Sequence, residues 1–246
     1  RGCTALTSIE IPAGVTAIGS TAFRETSLTE MTFAEGCQLL KIDGSAFWGT
    51  STLTSFTIPD TVNSIGNNAF QGTGITNITF PLGITALGTY MFYDCVNLES
   101  VTFLGNITSV GNYAFYNCSS LRSISLPAVT SIGTYVFDGC TSLSSVDMPL
   151  VGSIGTYAFR NCTSLVSVTL PEGITQIGNY TFYGCENLES VVIPDSVTSI
   201  GQYAFYGCAG ITEINIPSAV TKIGTGAFGA CLGLETINVY SGGYFV

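Results

Sequence analysis

Residues 132–140 read Ile132-Gly133-Thr134-Tyr135-Val136-Phe137-Asp138-Gly139-Cys140, followed by Leu143, Val146, Met148 and Pro149. Residues 177–185 read Ile177-Gly178-Asn179-Tyr180-Thr181-Phe182-Tyr183-Gly184-Cys185, followed by Leu188, Val191, Ile193 and Pro194. The same pattern places Phe23, Phe47, Phe70, Phe92, Phe115, Phe137, Phe159, Phe182, Phe205 and Phe228 at intervals of 22 to 24 residues. A unit of that length cannot close a core of its own, so successive units must stack and share one. The 246 residues therefore form one elongated array, a single solenoid domain spanning 1–246, rather than one or two globules.

Each unit carries two periodicities. Leu98, Val101 and Phe103 mark a turn leading into a short alternating strand. Proline usually closes that strand, at positions 12, 59, 81, 127, 149, 171, 194 and 217, where a missing N–H suits a strand end. Eleven such segments centre on Ile9, Met31, Phe56, Ile78, Val101, Ile124, Val146, Val168, Val191, Ile214 and Ile237. Stacked in parallel at about 4.8 Å they make a sheet roughly 50 Å long. An apolar pair such as Val197 and Ile200 comes next, and then glycine, at 19, 66, 88, 111, 133, 155, 178, 201 and 224. Glycine there implies either positive φ or close contact with a neighbouring coil. Ala114, Phe115 and Cys118 then share one face at helical spacing, which predicts a 3₁₀ or short α turn. Phe33 to Ile42 holds two residues more than Leu170 to Ile177, so a bulge is expected there.

These residues resemble the BspA-like, or Treponema pallidum type, class of leucine-rich repeats, whose unit reads Leu-x-x-Ile-x-Leu-Pro-x-x-Val-x-x-Ile-Gly-x-x-Ala-Phe-x-x-Cys. The match runs along essentially the whole chain. The resemblance implies a leucine-rich-repeat solenoid: a right-handed coil with a curved parallel β-sheet on the concave side and short helical turns opposite. It also implies a cell-surface or secreted protein concerned with adhesion to host or neighbouring-cell proteins, and it brings no catalytic motif. Arg1 is not Met, and Gly2 to Leu6 is half a repeat, which suggests a piece excised from a longer protein with both ends cut mid-repeat. Leu6, Ile9, Ile11, Val239, Tyr240 and Phe245 are then expected to be partly exposed.

Composition narrows the function. Hydrophobic residues make up 46% and charged residues only 9%, so the surface must be built largely from Ser, Thr, Asn, Gly and Tyr. Net charge is −10 and the six basic residues are scattered, which excludes a nucleic-acid footprint and disfavours anionic membranes. No run of 18 apolar residues occurs, so no transmembrane helix is expected in this segment. The absence of histidine removes the usual general base and the commonest metal ligand. Asp60, Glu172, Glu186 and Asp195 are isolated, so no metal or other cofactor is expected.

Cys95, Cys118, Cys140, Cys162, Cys185, Cys208 and Cys231 each follow a repeat phenylalanine by three, and Cys3 fits the same slot. Thr26, Thr50 and Thr73 stand there in other repeats. Bridging or metal binding competes with a ladder of buried thiols acting as small apolar fillers; the free exchange with Thr favours the ladder. Cys37 lies off it, in the insertion, and reads as the exposed, reactive thiol.

Tyrosine supplies the candidate binding surface. Tyr90, Tyr113, Tyr135, Tyr157, Tyr180 and Tyr203 hold one slot in six consecutive units, and Tyr93, Tyr116, Tyr183 and Tyr206 follow three residues later. On a helical wheel the first slot points away from the Phe face, giving two outward stripes side by side. They either stack on each other and shield the coil junctions or contact protein or sugar. Asp138 and Arg160 interrupt the second stripe and are expected to form an exposed ion pair of little energetic weight. The outward strand slots, mostly Ser and Thr, are either a solvated face or a polar groove, with Glu10, Asp147 and the Glu99–Arg122 neighbourhood breaking its uniformity. Five Asn-x-Ser/Thr triplets, at Asn77, Asn106, Asn117, Asn161 and Asn179, matter only in a secreting eukaryote. The function expected is non-enzymatic recognition of a protein, such as a host extracellular-matrix or cell-surface protein, with carbohydrate binding along the tyrosines or a structural spacer as alternatives.

Overall fold

The computed structural model describes residues 2–241 and 244–245, with side chains for residues 2–239. Two rows of parallel strands run the length of the molecule. The first comprises Ser8–Ile11, Glu30–Phe33, Asn77–Phe80, Ser100–Phe103, Ser123–Ser125, Ser145–Asp147, Ser167–Thr169, Ser190–Val192, Glu213–Ile216 and Thr236–Ser241. Pairing is in register, Ile78 beside Val101 and Thr79 beside Thr102, so each strand keeps the apolar residue of its alternation turned inward. The expected strand at Phe56 is reduced to one bridge, between Ser55 and Asn77. Phe56 carries a ring where its neighbours carry Ile, Met or Val, and that ring wedges against Phe47 and Phe70 at 4.9 and 5.4 Å.

The second row consists of two-residue strands, among them Ala86–Leu87, Ser109–Val110, Ser131–Ile132 and Ser153–Ile154, which pair as one four-stranded sheet. Each ends on the second residue of the apolar pair, as Ile200 ends Ser199–Ile200 just before Gly201. Beyond Gly19, where a Cβ would meet nothing within 4 Å, the glycines follow from contact, not from φ. A Cβ on Gly155 would meet the carbonyl carbon and oxygen of Gly133 at 2.5 Å, so only a hydrogen lets the two coils approach.

Where helical turns were expected, no helix forms among the described residues. The segment instead is a tight turn with left-handed backbone at two positions. Tyr113 has φ 57° and Asn117 has φ 56°, and the pair recurs four residues apart in each coil, as at Tyr135 and Gly139. This turns alternate N–H groups outward along the axis. Tyr113, Phe115 and Asn117 donate to the carbonyls of Thr134, Val136 and Asp138 in the next coil, at 2.9, 2.9 and 2.7 Å. A helix would have consumed those groups within one coil. Here they bind coil to coil, while the N–H groups of Ala114, Tyr116 and Cys118 close tight turns within their own coil, on the carbonyls of Gly111, Tyr113 and Phe115.

The shared core follows the phenylalanines. From Phe23 to Phe228 each ring stacks on the next at 5.3–5.7 Å, and Phe47 through Phe205 are fully buried. Leu6 and Ile9 are half-buried and Val239 is exposed, but Ile11 is buried against expectation, because Phe33 of the next coil lies beside it. The side chains of Tyr240 and Phe245 lie outside the described residues. In the insertion, Glu35, Gly36 and Gln38 are exposed as the bulge predicted, but Cys37 turns back and packs half-buried against the core. Cys3 is the exposed cysteine.

Candidate functional site

The flank beside the phenylalanine ladder carries the aromatic stripes. Tyr90, Tyr113, Tyr135, Tyr157, Tyr180 and Tyr203 form one continuous column, with ring centroids 4.4–5.2 Å apart. Tyr93 stacks on Tyr116 at 4.6 Å and Tyr183 on Tyr206 at 5.1 Å. The two stripes touch, Tyr113 to Tyr116 at 5.9 Å and Tyr180 to Tyr183 at 5.8 Å. All ten tyrosines are half-buried: Tyr113, Tyr135, Tyr157 and Tyr180 have a ring packed on each face, and the others have one face covered by a neighbour.

Each column tyrosine sits in left-handed backbone, φ 52–61°, which disfavours any residue with a Cβ by about 1–2 kcal/mol. Asn68 and Gly226 hold the same slot in other coils and suit that conformation better. Stacking offsets the strain, since an aromatic pair contributes about 0.5–1.5 kcal/mol beyond its buried area. The rings, not the backbone, account for tyrosine here. Burial, followed by the neighbouring charges, raises the phenol pKa of Tyr93, Tyr113, Tyr157 and Tyr180, so these hydroxyls stay protonated donors at neutral pH.

The break in the second stripe is not an exposed ion pair. Arg160 Nε lies 2.9 and 3.0 Å from the Asp138 oxygens and Nη2 2.6 Å from Oδ2, and Asp138 is only 2% exposed. Burial pushes the Asp138 carboxyl above its ordinary range, although the bidentate guanidinium pulls it down. The guanidinium covers the carboxylate and reaches over Tyr157 and Tyr135, 5.2 and 5.6 Å from the ring centres. The ion pair therefore seals the gap in the stripe. The same slot in earlier coils holds Arg24 and Trp48, with the guanidinium 3.6 Å above the indole. The helical reading missed this extension, although counting one residue past each phenylalanine finds it.

The cysteine ladder is buried, as expected, from Cys95 to Cys208, with Cys231 half-buried. Its members do more than fill space. Each thiol donates to the carbonyl of a phenylalanine in the preceding coil, Cys118 to Phe92 and Cys140 to Phe115, both at 3.1 Å. Thr50 makes the same bond to Phe23 at 2.6 Å, which explains the exchange of Cys and Thr. Burial pushes the thiols up, Cys95 to about 11 and Cys185 to about 12, so they are inert.

Across the first strand row, small hydroxyls cross-link neighbouring coils: Ser100 donates to Asn77 at 2.6 Å and Ser125 to Asp147 at 2.9 Å. A shallow groove of about 340 Å³ lies over Ser55, Thr57, Asn77, Thr79, Ser100 and Thr102. Glu99 and Arg122 pair at 3.5 Å, both exposed, and Val192 is 58% exposed in the same face. Among the described residues no three His, Cys, Asp or Glu side chains are grouped to hold a metal ion, and no helix is long and apolar enough to cross a membrane.

The family model for the BspA type leucine rich repeat region matches six copies, over residues 1–52, 40–151 and 130–244. A leucine-rich repeat protein of Bacteroides ovatus is similar at 28% identity and TM-score 0.67, over 98% of this chain and 75% of that one. A leucine rich cell surface protein of Faecalibacterium prausnitzii is similar at 31% identity and TM-score 0.52, over 97% and 80%. The Treponema pallidum leucine rich repeat protein matches at 26% identity and TM-score 0.57, over 83% of each chain. No curated protein matches the sequence.

Proposed function

Given that the chain belongs to the BspA-type leucine-rich repeat family, we propose that it is a non-enzymatic recognition scaffold, part of a cell-surface or secreted protein that binds other proteins in adhesion. The observation that carries this reading is the tyrosine flank: ten half-buried rings, six of them held in strained backbone, on a surface otherwise built of small polar side chains. Rigid aromatic bodies with polar tips are what protein interfaces concentrate, and they lose little conformational freedom on binding. The geometry favours protein over sugar. Sugar recognition uses open ring faces, and here neighbouring rings cover those faces, leaving edges and hydroxyls to contact a partner. A net charge of −10 supports a partner with a basic surface, such as a host extracellular-matrix protein, drawn in by long-range attraction. The cell-surface description of the Faecalibacterium relative supports the proposed location.

Alanine replacement of Tyr113, Tyr116, Tyr180 and Tyr183 tests the proposal. Capture of matrix or cell-surface proteins by the immobilised chain is expected to be lost in the quadruple variant while circular dichroism stays native. Retained capture would move the site to the strand face. Binding on a glycan array that disappears in the variant would establish the carbohydrate alternative, and no partner in either assay would leave a spacer.

A further inference from the structure

The column from Tyr90 to Tyr203 is an unbroken series of oxidisable rings in van der Waals contact, which no protein-binding role requires. Five consecutive steps of 4.4–5.2 Å join six phenols, and the interplanar angles of the first four are 4–7°. All six are tyrosine phenols, and the cation beside Tyr135 and Tyr157, Arg160, is paired with Asp138, so a radical on one phenol differs modestly in energy from a radical on the next. Their edges reach solvent, so the phenolic proton has an acceptor at every position. We propose that this column is a radical relay: a phenoxyl formed on any of its tyrosines by a one-electron oxidant, such as a metal-centred or peroxidase-derived radical, migrates along the flank rather than staying where it formed.

The step balances. The oxidant takes one electron from a phenol ring, and that phenol's O–H proton passes to water. In each later step the neighbouring phenol gives one electron to the phenoxyl ring and releases its proton to water, while the first oxygen regains a proton from water. One O–H is restored as the next is lost, and no further oxidant is consumed.

The two stripes also fix where the relay can be cut. The second stripe is interrupted by Asp138 and Arg160, in the same two coils that hold Tyr135 and Tyr157. No other tyrosine or tryptophan lies between Tyr116 and Tyr180. Every path between the two halves of the flank that uses phenol or indole rings therefore passes through Tyr135 and Tyr157.

A photo-oxidant at one end tests this. A ruthenium polypyridyl is attached to T225C, an exposed position whose carbonyl accepts the Tyr203 N–H at 3.0 Å. C3S, C37S and C231T leave only the buried ladder thiols besides it. Flash oxidation with a sacrificial electron acceptor is followed by a nitroso spin trap, and adducts are mapped by peptide mass spectrometry. Adducts are expected at Tyr90 and Tyr113 as well as at Tyr180 and Tyr203. Y135F with Y157F keeps the rings stacked but removes the phenols, and should confine adducts to the labelled half. Y93F with Y116F, off the column, should leave the adduct at Tyr90 unchanged. Adducts restricted to the labelled half in the intact column would overturn the proposal. So would undiminished adducts at Tyr90 in the Y135F/Y157F protein, since the radical would then be travelling through solution.

Discussion

Replacing Phe137 by alanine tests the central physical claim, that each coil is stable only through its neighbours. Phe137 is fully buried, with Phe115 at 5.5 Å on one side and Phe159 at 5.3 Å on the other. Deleting a buried ring forfeits its transfer free energy and leaves a void, together about 3–5 kcal/mol. Two stacking contacts, each about 0.5–1.5 kcal/mol, are contained in that figure. Phe23 offers the comparison. It is half-buried and stacks only on Phe47, at 5.6 Å, so Phe23→Ala should cost about 1–2 kcal/mol on burial alone. Guanidinium denaturation followed by circular dichroism measures both. In a one-dimensional array the central substitution weakens two interfaces at once, so its transition should also broaden, with a smaller apparent m. The reasoning fails if Phe137→Ala costs no more than Phe23→Ala, because the core would then be redundant instead of shared.

Three further outcomes follow from the packing. Arg160→Ala leaves a carboxylate that is 2% exposed without its partner and should cost about 3–5 kcal/mol, whereas Asp138→Asn leaves a guanidinium 31% exposed that can reach water and should cost under about 1 kcal/mol. Burial already raises the Asp138 carboxyl, so the Arg160→Ala deficit should shrink as pH falls and the carboxyl protonates, and urea titrations at neutral and acid pH would show this. The ladder thiols have raised folded pKa values, so their contribution is complete below the ordinary thiol pKa near 9 and is lost as pH rises through about 11 for Cys95 and about 12 for Cys185. The denaturation midpoint should therefore fall from about pH 8 to about pH 10.5, and fall less in a Cys95→Thr/Cys185→Thr protein. Gly155→Ala drives a methyl into the Gly133 backbone at 2.5 Å and should lower stability by about 1–3 kcal/mol, while Gly14→Ala, with nothing within 4 Å, should be neutral or slightly stabilising in thermal melts.

The architecture was legible because its signal is redundant. Ten phenylalanines at near-constant spacing force a stack, and no local ambiguity in one coil can alter that. The first strand row followed from Val101-Thr102-Phe103 and its equivalents, since alternation with a period of two has one structural meaning. The second row did not. Two-residue strands such as Ser131–Ile132 are too short for periodicity to register, and they exist only because the next coil supplies their partner. The helical turns were misread for a related reason. Ala114, Phe115 and Cys118 share a face in a helix, but a turn with left-handed residues at Tyr113 and Asn117 also buries all three. The deciding fact is the left-handed Tyr113, which is invisible to a pattern of apolar positions.

That misreading bears directly on the site. A helical wheel turns the tyrosine slot outward by rotation about an axis within one coil, and by itself does not fix how closely the rings of successive coils approach. The actual backbone sends N–H groups of Tyr113, Phe115 and Asn117 to the following coil, and this ladder sets the separation of equivalent residues. Rings carried on such a ladder must meet face to face, as Tyr135 and Tyr157 do at 4.4 Å and 4°. The sequence located the two stripes and allowed that their rings stack on one another; the spacing and the near-parallel faces come from the backbone ladder. The consequence is chemical: a free ring offers its face to a sugar or a cation, whereas a stacked column offers edges, hydroxyl groups and continuous electronic contact. The same logic explains why Asp138 and Arg160 can replace two tyrosines without opening the flank. A planar guanidinium, held by two bonds to a buried carboxylate, reaches over Tyr135 and Tyr157 and covers the gap a missing phenol would leave. Lysine at 160 should fail in that role, because a point charge on a flexible stem cannot satisfy both carboxylate oxygens and lie flat over the rings.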